Sequence, residues 1–179
     1  EKSGKSYDND EEARKAMRIV ADHIRTATML IGDENGILPS NVGAGYILRR
    51  LLRRAIRYAR KIGLDSSALT AVSAIFIDKI YDEAYPLLVE KKDYILSEIA
   101  KEADKFEATL ATGLKEFNKC IEGIKRKNEF MSAKDPAYKS ENGINGKQAF
   151  RLYDTFGFPV ELTEELAAEV GFTVDKAGF

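Results

Sequence analysis

The stretch that most constrains the fold runs from Pro39 to Ile62, PSNVGAGYILRRLLRRAIRYARKI, a glycine-bearing loop feeding a segment with seven positive charges. No Asp or Glu occurs from Asn35 through Leu64. On a helix at about 100° per residue, Ile47, Leu48, Leu51, Leu52, Ala55, Ile56, Ala59 and Ile62 fall in one half of the circumference. Arg49, Arg50, Arg53, Arg54, Arg57, Arg60 and Lys61 fall in the other, with Tyr46 among them. The pattern predicts a helix over 45–62 that buries its apolar half and presents a continuous cationic face. The like charges at i, i+4 (Arg49/Arg53/Arg57 and Arg50/Arg54) each cost roughly 0.2–0.5 kcal/mol, so something outside the helix is expected to offset them. Two partners fit: carboxylates on neighbouring elements, or a polyanion, whose phosphates suit the planar guanidinium fork.

The 28 Lys and Arg include these seven, which leaves 21 against 29 acidic residues elsewhere, so the net charge of −1 hides a segregated distribution with a local positive field. A single cysteine, Cys120, leaves no internal disulfide, and a single histidine, His23, leaves no His-rich metal or relay site. Both fit a reducing compartment, and a cytoplasmic location is expected. No signal peptide is evident, and no apolar run approaches the roughly 20 residues that span a bilayer. With 179 residues, 44% hydrophobic and 32% charged, one soluble helical domain with a small appendage is expected.

Taken in order, Asp8 with Glu11 resembles a capping box opening a helix to about Ile31, with Ala13, Met17, Val20, Ala21, Ile24, Thr28 and Ile31 inward. His23 within it reads as a hydrogen-bonded structural residue. After Gly63 an amphipathic helix over about 66–81 places Leu69, Val72, Ile75, Phe76 and Ile80 on one side. Pro86 suits a first helical position and opens a very long helix over 86–127, near 60 Å at about 1.5 Å per residue. Its stripe is Ile95, Ile99, Ala103, Phe106, Leu110, Leu114, Phe117, Ile121 and Ile124. Residues 130–145, with Pro136, read as a mobile loop. Helices are expected over 146–155 and from Thr163, as its cap, to Val170, separated by a turn at Phe156-Gly157-Phe158-Pro159. The fold class is therefore all-α: a helical domain over 1–129, a loop over 130–145, and a small helical subdomain over 146–179. The polar opening EKSGKSYDNDEE and the closing FTVDKAGF predict a segment of a longer protein.

No GxxxxGK[ST], GxGxxG, HExxH or CxxC occurs, and nothing assembles a nucleophile with its base. No catalytic residue, metal ligand or cofactor is expected within this stretch, and taken alone it does not read as an enzyme.

Three separated segments together resemble alanyl-tRNA synthetase: Ala21-Asp22-His23-Ile24-Arg25-Thr26; Leu38-Pro39-Ser40-Asn41 continuing through Gly45-Tyr46-Ile47-Leu48-Arg49-Arg50 and Arg53-Arg54-Ala55; and Leu152-Tyr153-Asp154-Thr155-Phe156-Gly157-Phe158-Pro159-Val160-Glu161-Leu162-Thr163. Phe106-Glu107-Ala108-Thr109-Leu110 with Gly113 is similar to a further signature of that family. The resemblance implies a helical tRNA-recognition domain of a class II ligase that attaches alanine to tRNA through alanyl-adenylate. ATP and Mg would belong to a catalytic domain upstream, Zn to an editing domain downstream, and the isolated stretch would be inactive.

The implied partners are those two domains and the acceptor stem of tRNA-Ala, selected by a G·U wobble pair; no membrane is implied. By motif position Asn41 and Asp154 match the base-reading residues, and the cations Arg49, Arg50, Arg53, Arg54, Arg57, Arg60 and Lys61 would contact the backbone. Many family members carry a charged or amide residue and an arginine where this chain has Val42-Gly43-Ala44. From the residues alone, capping is the favoured reading: Asn41 caps the basic helix and Asp154 a turn. The runner-up function is a helical interaction module docking an acidic protein through its arginine face.

Overall fold

A computed structural model describes residues 3–179; of the domain expected over 1–129, Glu1 and Lys2 lie outside the described residues. The fold is all-α, as the periodicities predict. Its helices are α1 (Glu11–Gly32), α2 (Gly43–Lys61), α3 (Ser67–Ile75), α4 (Pro86–Glu90), α5 (Lys92–Lys134), α6 (Gly146–Phe156) and α7 (Val160–Glu169). A minimal parallel pairing joins β1 (Gly143–Ile144) to β2 (Thr173–Val174). By packing, the chain forms two compact units that divide inside α5, between Glu107 and Ala108.

In the first unit α1 is capped by Asp10, not Asp8: its carboxylate accepts from Ala13 N at 2.9 Å, and Glu11 and Glu12 follow in the favourable first turn. Ala13, Ala16, Val20, Ile24, Ala27 and Ile31 bury the inward stripe. Thr28 and Ser73 share a buried hydroxyl–hydroxyl bond of 2.7 Å that ties α1 to α3. The helix expected over 66–81 passes into a π turn at Phe76–Ile80, where Tyr81 N donates to Phe76 O. Leu69, Ser73 and Ile77, one face at i, i+4 spacing, are buried. Ile75 and Ile80, expected inward, face solvent instead.

The long helix expected from Pro86 is interrupted at Lys91, which closes α4 and sends its ammonium 2.6 Å from the carbonyl of Asp33, just past the end of α1. That carbonyl also accepts from Gly36 N at 3.0 Å, and a cation beside a helix C-terminus is the favourable pairing. Gly32 lets this region close, since a Cβ would sit 2.3 Å from Leu88 Cδ2 and 2.9 Å from Ile95 Cδ1.

In the second unit α5 continues to Lys134, past the expected end at 127, and stops where Asp135 precedes Pro136, which disfavours helical geometry at the residue before it. The remaining loop is pinned rather than loose. Asn128 donates to Glu141 O at 2.6 Å and accepts from Glu141 N and Tyr138 Oη, and Lys127 pairs with Glu141 at 2.7 Å. Asn145 and Gln148 form a reciprocal capping box on α6. That helix ends at Gly157 (φ 67), with Phe158 N bonded back to Leu152 O. Helix α7 opens at Val160, immediately after Pro159, so Thr163 is not its cap but a fully buried residue inside it.

Phe158, fully buried, lies over Gly113 so closely that a Cβ there would be 2.3 Å from its ring. Gly113→Ala is therefore expected to lose about 1–3 kcal/mol through overpacking, despite the roughly 1 kcal/mol that alanine gains over glycine in a helix. Urea unfolding measures it; a stabilised variant would show that Phe158 can move aside.

Candidate nucleic-acid interface

The loop that enters α2 folds back over its first turn. Ser40 N donates to Gly45 O at 3.0 Å, and Ser40 Oγ donates to Val42 O at 2.9 Å. Gly45 is required by this wrap, because a Cβ would meet Leu38 O at 2.5 Å and Ser40 Oγ at 2.3 Å. Gly43 takes a left-handed φ of 57, and Val42 is the N-cap without any side-chain cap bond. Asn41 therefore does not cap the helix. It is exposed, and its Oδ1 accepts from Arg49 Nη1, whose neighbouring Nη2 lies 3.5 Å from Pro39 O.

The cations of α2 do not form the continuous solvent-facing stripe that the periodicity suggests. Arg60 and Lys61 are exposed, Arg49, Arg50, Arg53 and Arg54 are half-buried, and Arg57 is buried at 4% exposure. Glu102 of α5, itself 4% exposed, sits between the i, i+4 pair. Its Oε1 is 2.7 Å from Arg53 Nε, 2.6 Å from Arg53 Nη2 and 3.4 Å from Arg49 Nε. Arg60 Nε is 3.5 Å from Glu107. These carboxylates supply part of the offset that the crowded arginines require.

Aromatic faces supply more. The Arg53 guanidinium lies 5.1 Å from the centroid of Phe106, while Arg54, Arg57 and Lys61 all approach the ring of Tyr58 at 5.2–5.5 Å. Tyr58 is almost fully buried, and Ile47, expected inward, is exposed. His23 is the structural residue expected. Arg54 Nη1 lies 3.1 Å from its Nε2, and an arginine can only donate, so Nε2 accepts and Nδ1 carries the proton toward Asp22 Oδ2 at 3.3 Å. Arg25 in turn holds the Asp22 carboxyl below its ordinary value through a 2.9 Å hydrogen bond.

In the second unit Asp154 lies in the last turn of α6, exposed. Backbone groups of Gly157 and Phe158 close that helix end, so Asp154 caps nothing. A carboxylate there faces the negative end of the helix dipole, an unfavourable placement. Burial pushes the Cys120 thiol up, consistent with an ordinary near-core residue. Among the described residues no group of three or more His, Cys, Asp and Glu side chains could hold a metal ion, so the donor set that zinc needs is not assembled here. No helix is long and apolar enough to cross a membrane among the residues described.

Sequence reasoning missed Glu102 and Tyr58. Glu102 carried a signal: it falls three residues after Ile99 and four before Phe106, the phase of the buried stripe, where an acid needs a partner.

The family model for tRNA synthetases class II (A) matches residues 1–179. The chain is 44% identical over 177 residues to the Alanine--tRNA ligase of Borrelia hermsii (strain HS1 / DAH), covering 99% of this chain and 27% of that protein. It is 45% identical over 177 residues to that of Geobacillus kaustophilus (strain HTA426), with 99% and 18% covered, and 45% over 176 residues to that of Treponema pallidum (strain Nichols), with 98% and 27% covered. The chain thus spans about a quarter or less of the length of these relatives.

Proposed function

The chain belongs to the class II (A) tRNA synthetases, and from that premise we propose that it is the tRNA-recognition portion of a cytoplasmic alanine–tRNA ligase. It binds the acceptor stem of tRNA-Ala at a G·U wobble pair and orients the end of the stem for ATP-dependent aminoacylation. ATP with magnesium, and zinc for editing, are assigned to portions of the ligase other than these residues.

One observation carries the reading: Asn41 and Asp154, the polar residues singled out by motif position, are both exposed and neither caps the helix beside it. The chemistry suits a wobble pair. A-form RNA displays base edges in a wide, shallow minor groove. In a G·U pair the guanine 2-amino group is not engaged by its partner base and remains a donor. A carboxylate accepts from it, and an amide can donate to the neighbouring base acceptors. Phosphate contacts fall chiefly to Arg60 and Lys61, the exposed cations of α2, and position the stem without reading sequence.

The test is binding of the chain to acceptor-stem hairpins carrying G·U or G·C, between about 50 and 200 mM salt. Tighter binding of the G·U hairpin with a steep salt dependence is expected. Arg60→Glu with Lys61→Glu should weaken both hairpins alike and reduce the salt slope by about 2. Reversing Arg49, Arg53 and Arg57 would instead place acids against Glu102 and inside the core, and would report folding. No RNA binding at the lowest salt overturns the reading and favours an acidic protein as the partner of α2.

A further inference from the structure

We propose that Arg49 is a positioning residue for base reading. Anchored by Glu102, it grips the side-chain oxygen of Asn41 and turns the amide NH2 outward, so that Asn41 meets RNA as a hydrogen-bond donor. The inference rests on the reading of Asn41 as a base contact.

The geometry is directional. Glu102 is fixed first, because Arg53 holds its Oε1 through both Nε and Nη2 at 2.7 and 2.6 Å. That same oxygen lies 3.4 Å from Arg49 Nε, which leaves the two terminal nitrogens of Arg49 directed at the loop: Nη1 at Asn41 Oδ1 and Nη2 at Pro39 O. The Arg49 side chain is only 19% exposed, so its fork is engaged within the protein rather than extended toward a phosphate. A guanidinium offers donors and no acceptor, so the Asn41 atom facing it must be the oxygen. The amide hydrogens are then the groups left to present.

An exposed asparagine without such a partner can flip, offering either polarity to a ligand. Fixing it as a donor makes Asn41 complementary to the acceptors on a wobble pair's edge, while Asp154, acceptor-only, complements the unengaged amino group. Lysine cannot substitute, because one ammonium cannot span a carboxylate and two carbonyl oxygens in the fork geometry of arginine.

The experiment compares hairpins carrying G·U or G·C for the chain and its variants Arg49→Met, Arg49→Lys, Asn41→Ala and Asn41→Asp. Arg49→Met should fold, since Glu102 keeps Arg53, and its G·U over G·C preference should fall by about fivefold to tenfold, as for a misaligned base contact. Its salt slope should not change. Arg49→Lys should not rescue the preference. Asn41→Asp keeps the contact to Arg49 and loses the outward donor, so the preference should fall while thermal stability holds or rises.

In nitrogen-edited NMR spectra of the free chain, the Asn41 side-chain NH2 pair should shift in Arg49→Met, and an unmoved pair overturns the proposal. If Asn41→Ala loses the preference but both Arg49 variants retain it, the positioning role fails and the base-reading stands. If the unmodified chain shows no preference, the base-reading itself fails. Equal weakening of both hairpins in Arg49→Met, with a salt slope lower by about 1, makes Arg49 a phosphate contact and overturns the proposal.

Discussion

Glu102→Ala is expected to cost the protein about 3 kcal/mol, among the largest losses available from a single substitution outside the apolar core. The carboxylate is 4% exposed and meets two guanidinium groups whose side chains are 12% and 19% exposed. Removing it leaves two adjacent cations, spaced i, i+4 on α2, without their shared partner and repelling each other. Partial exposure lets both arginines swing toward water, which holds the loss to the lower end of the range for broken buried pairs. Replacing Glu102 and Arg53 together by leucine should recover part of it, because an apolar pair removes two of the three charges along with their desolvation and leaves only Arg49 to turn toward water. Urea unfolding of the single and double variants measures the cycle. A loss below about 1 kcal/mol for Glu102→Ala, the worth of an exposed pair, would mean that the arginines rehydrate fully and that Glu102 anchors nothing.

That expectation depends on residues whose roles the sequence showed unequally. The 3.6-residue period carried α1, α2 and α5 because each buries a stripe, and the stripe is written in residue type. Ends were less legible where several residues compete for one task. Asp8 and Asp10 both suit a cap, and backbone geometry selects Asp10. Thr163 looks like a cap until Pro159, which needs no N–H partner, opens α7 a turn earlier. The arginine face was misjudged for a different reason. Amphipathicity records which side of a helix is polar but not whether another helix covers that side, and Glu102 and Phe106 cover it from α5. The π turn at Phe76–Ile80 left no trace in the spacing, since an i, i+4 recurrence such as Leu69, Ser73 and Ile77 is ordinary for an α-helix. Asn41 and Asp154 had no signal in periodicity and were picked out by resemblance alone. What the structure adds is that neither does the local capping work that residues alone would have assigned to it.

Asp154→Ala is expected to separate stability from recognition. The carboxylate is exposed in the last turn of α6, whose end is closed by the backbone of Gly157 and Phe158. Because it faces the negative end of the helix dipole, its removal should leave stability unchanged or raise it by about 0.3–1 kcal/mol. Recognition should move the other way. In a full-length ligase carrying the substitution, loss of the acceptor for the guanine amino group should reduce binding and charging of G·U tRNA by about 1–3 kcal/mol, by analogy with DNA base readout. A G·C variant offers that amino group already paired to cytosine, so on the proposed reading its charging should be the poorer of the two and should change little, and the ratio between the two substrates should narrow. Asp154→Asn keeps one acceptor and adds a donor, so it should fall between the alanine variant and the parent. Combined with Asn41→Ala, the effect should be less than the sum of the two if both side chains read one base pair. A turn-stabilising role predicts the opposite pattern, a stability loss of about 1 kcal/mol and equal decline on both tRNAs; observing it would remove Asp154 from the recognition site.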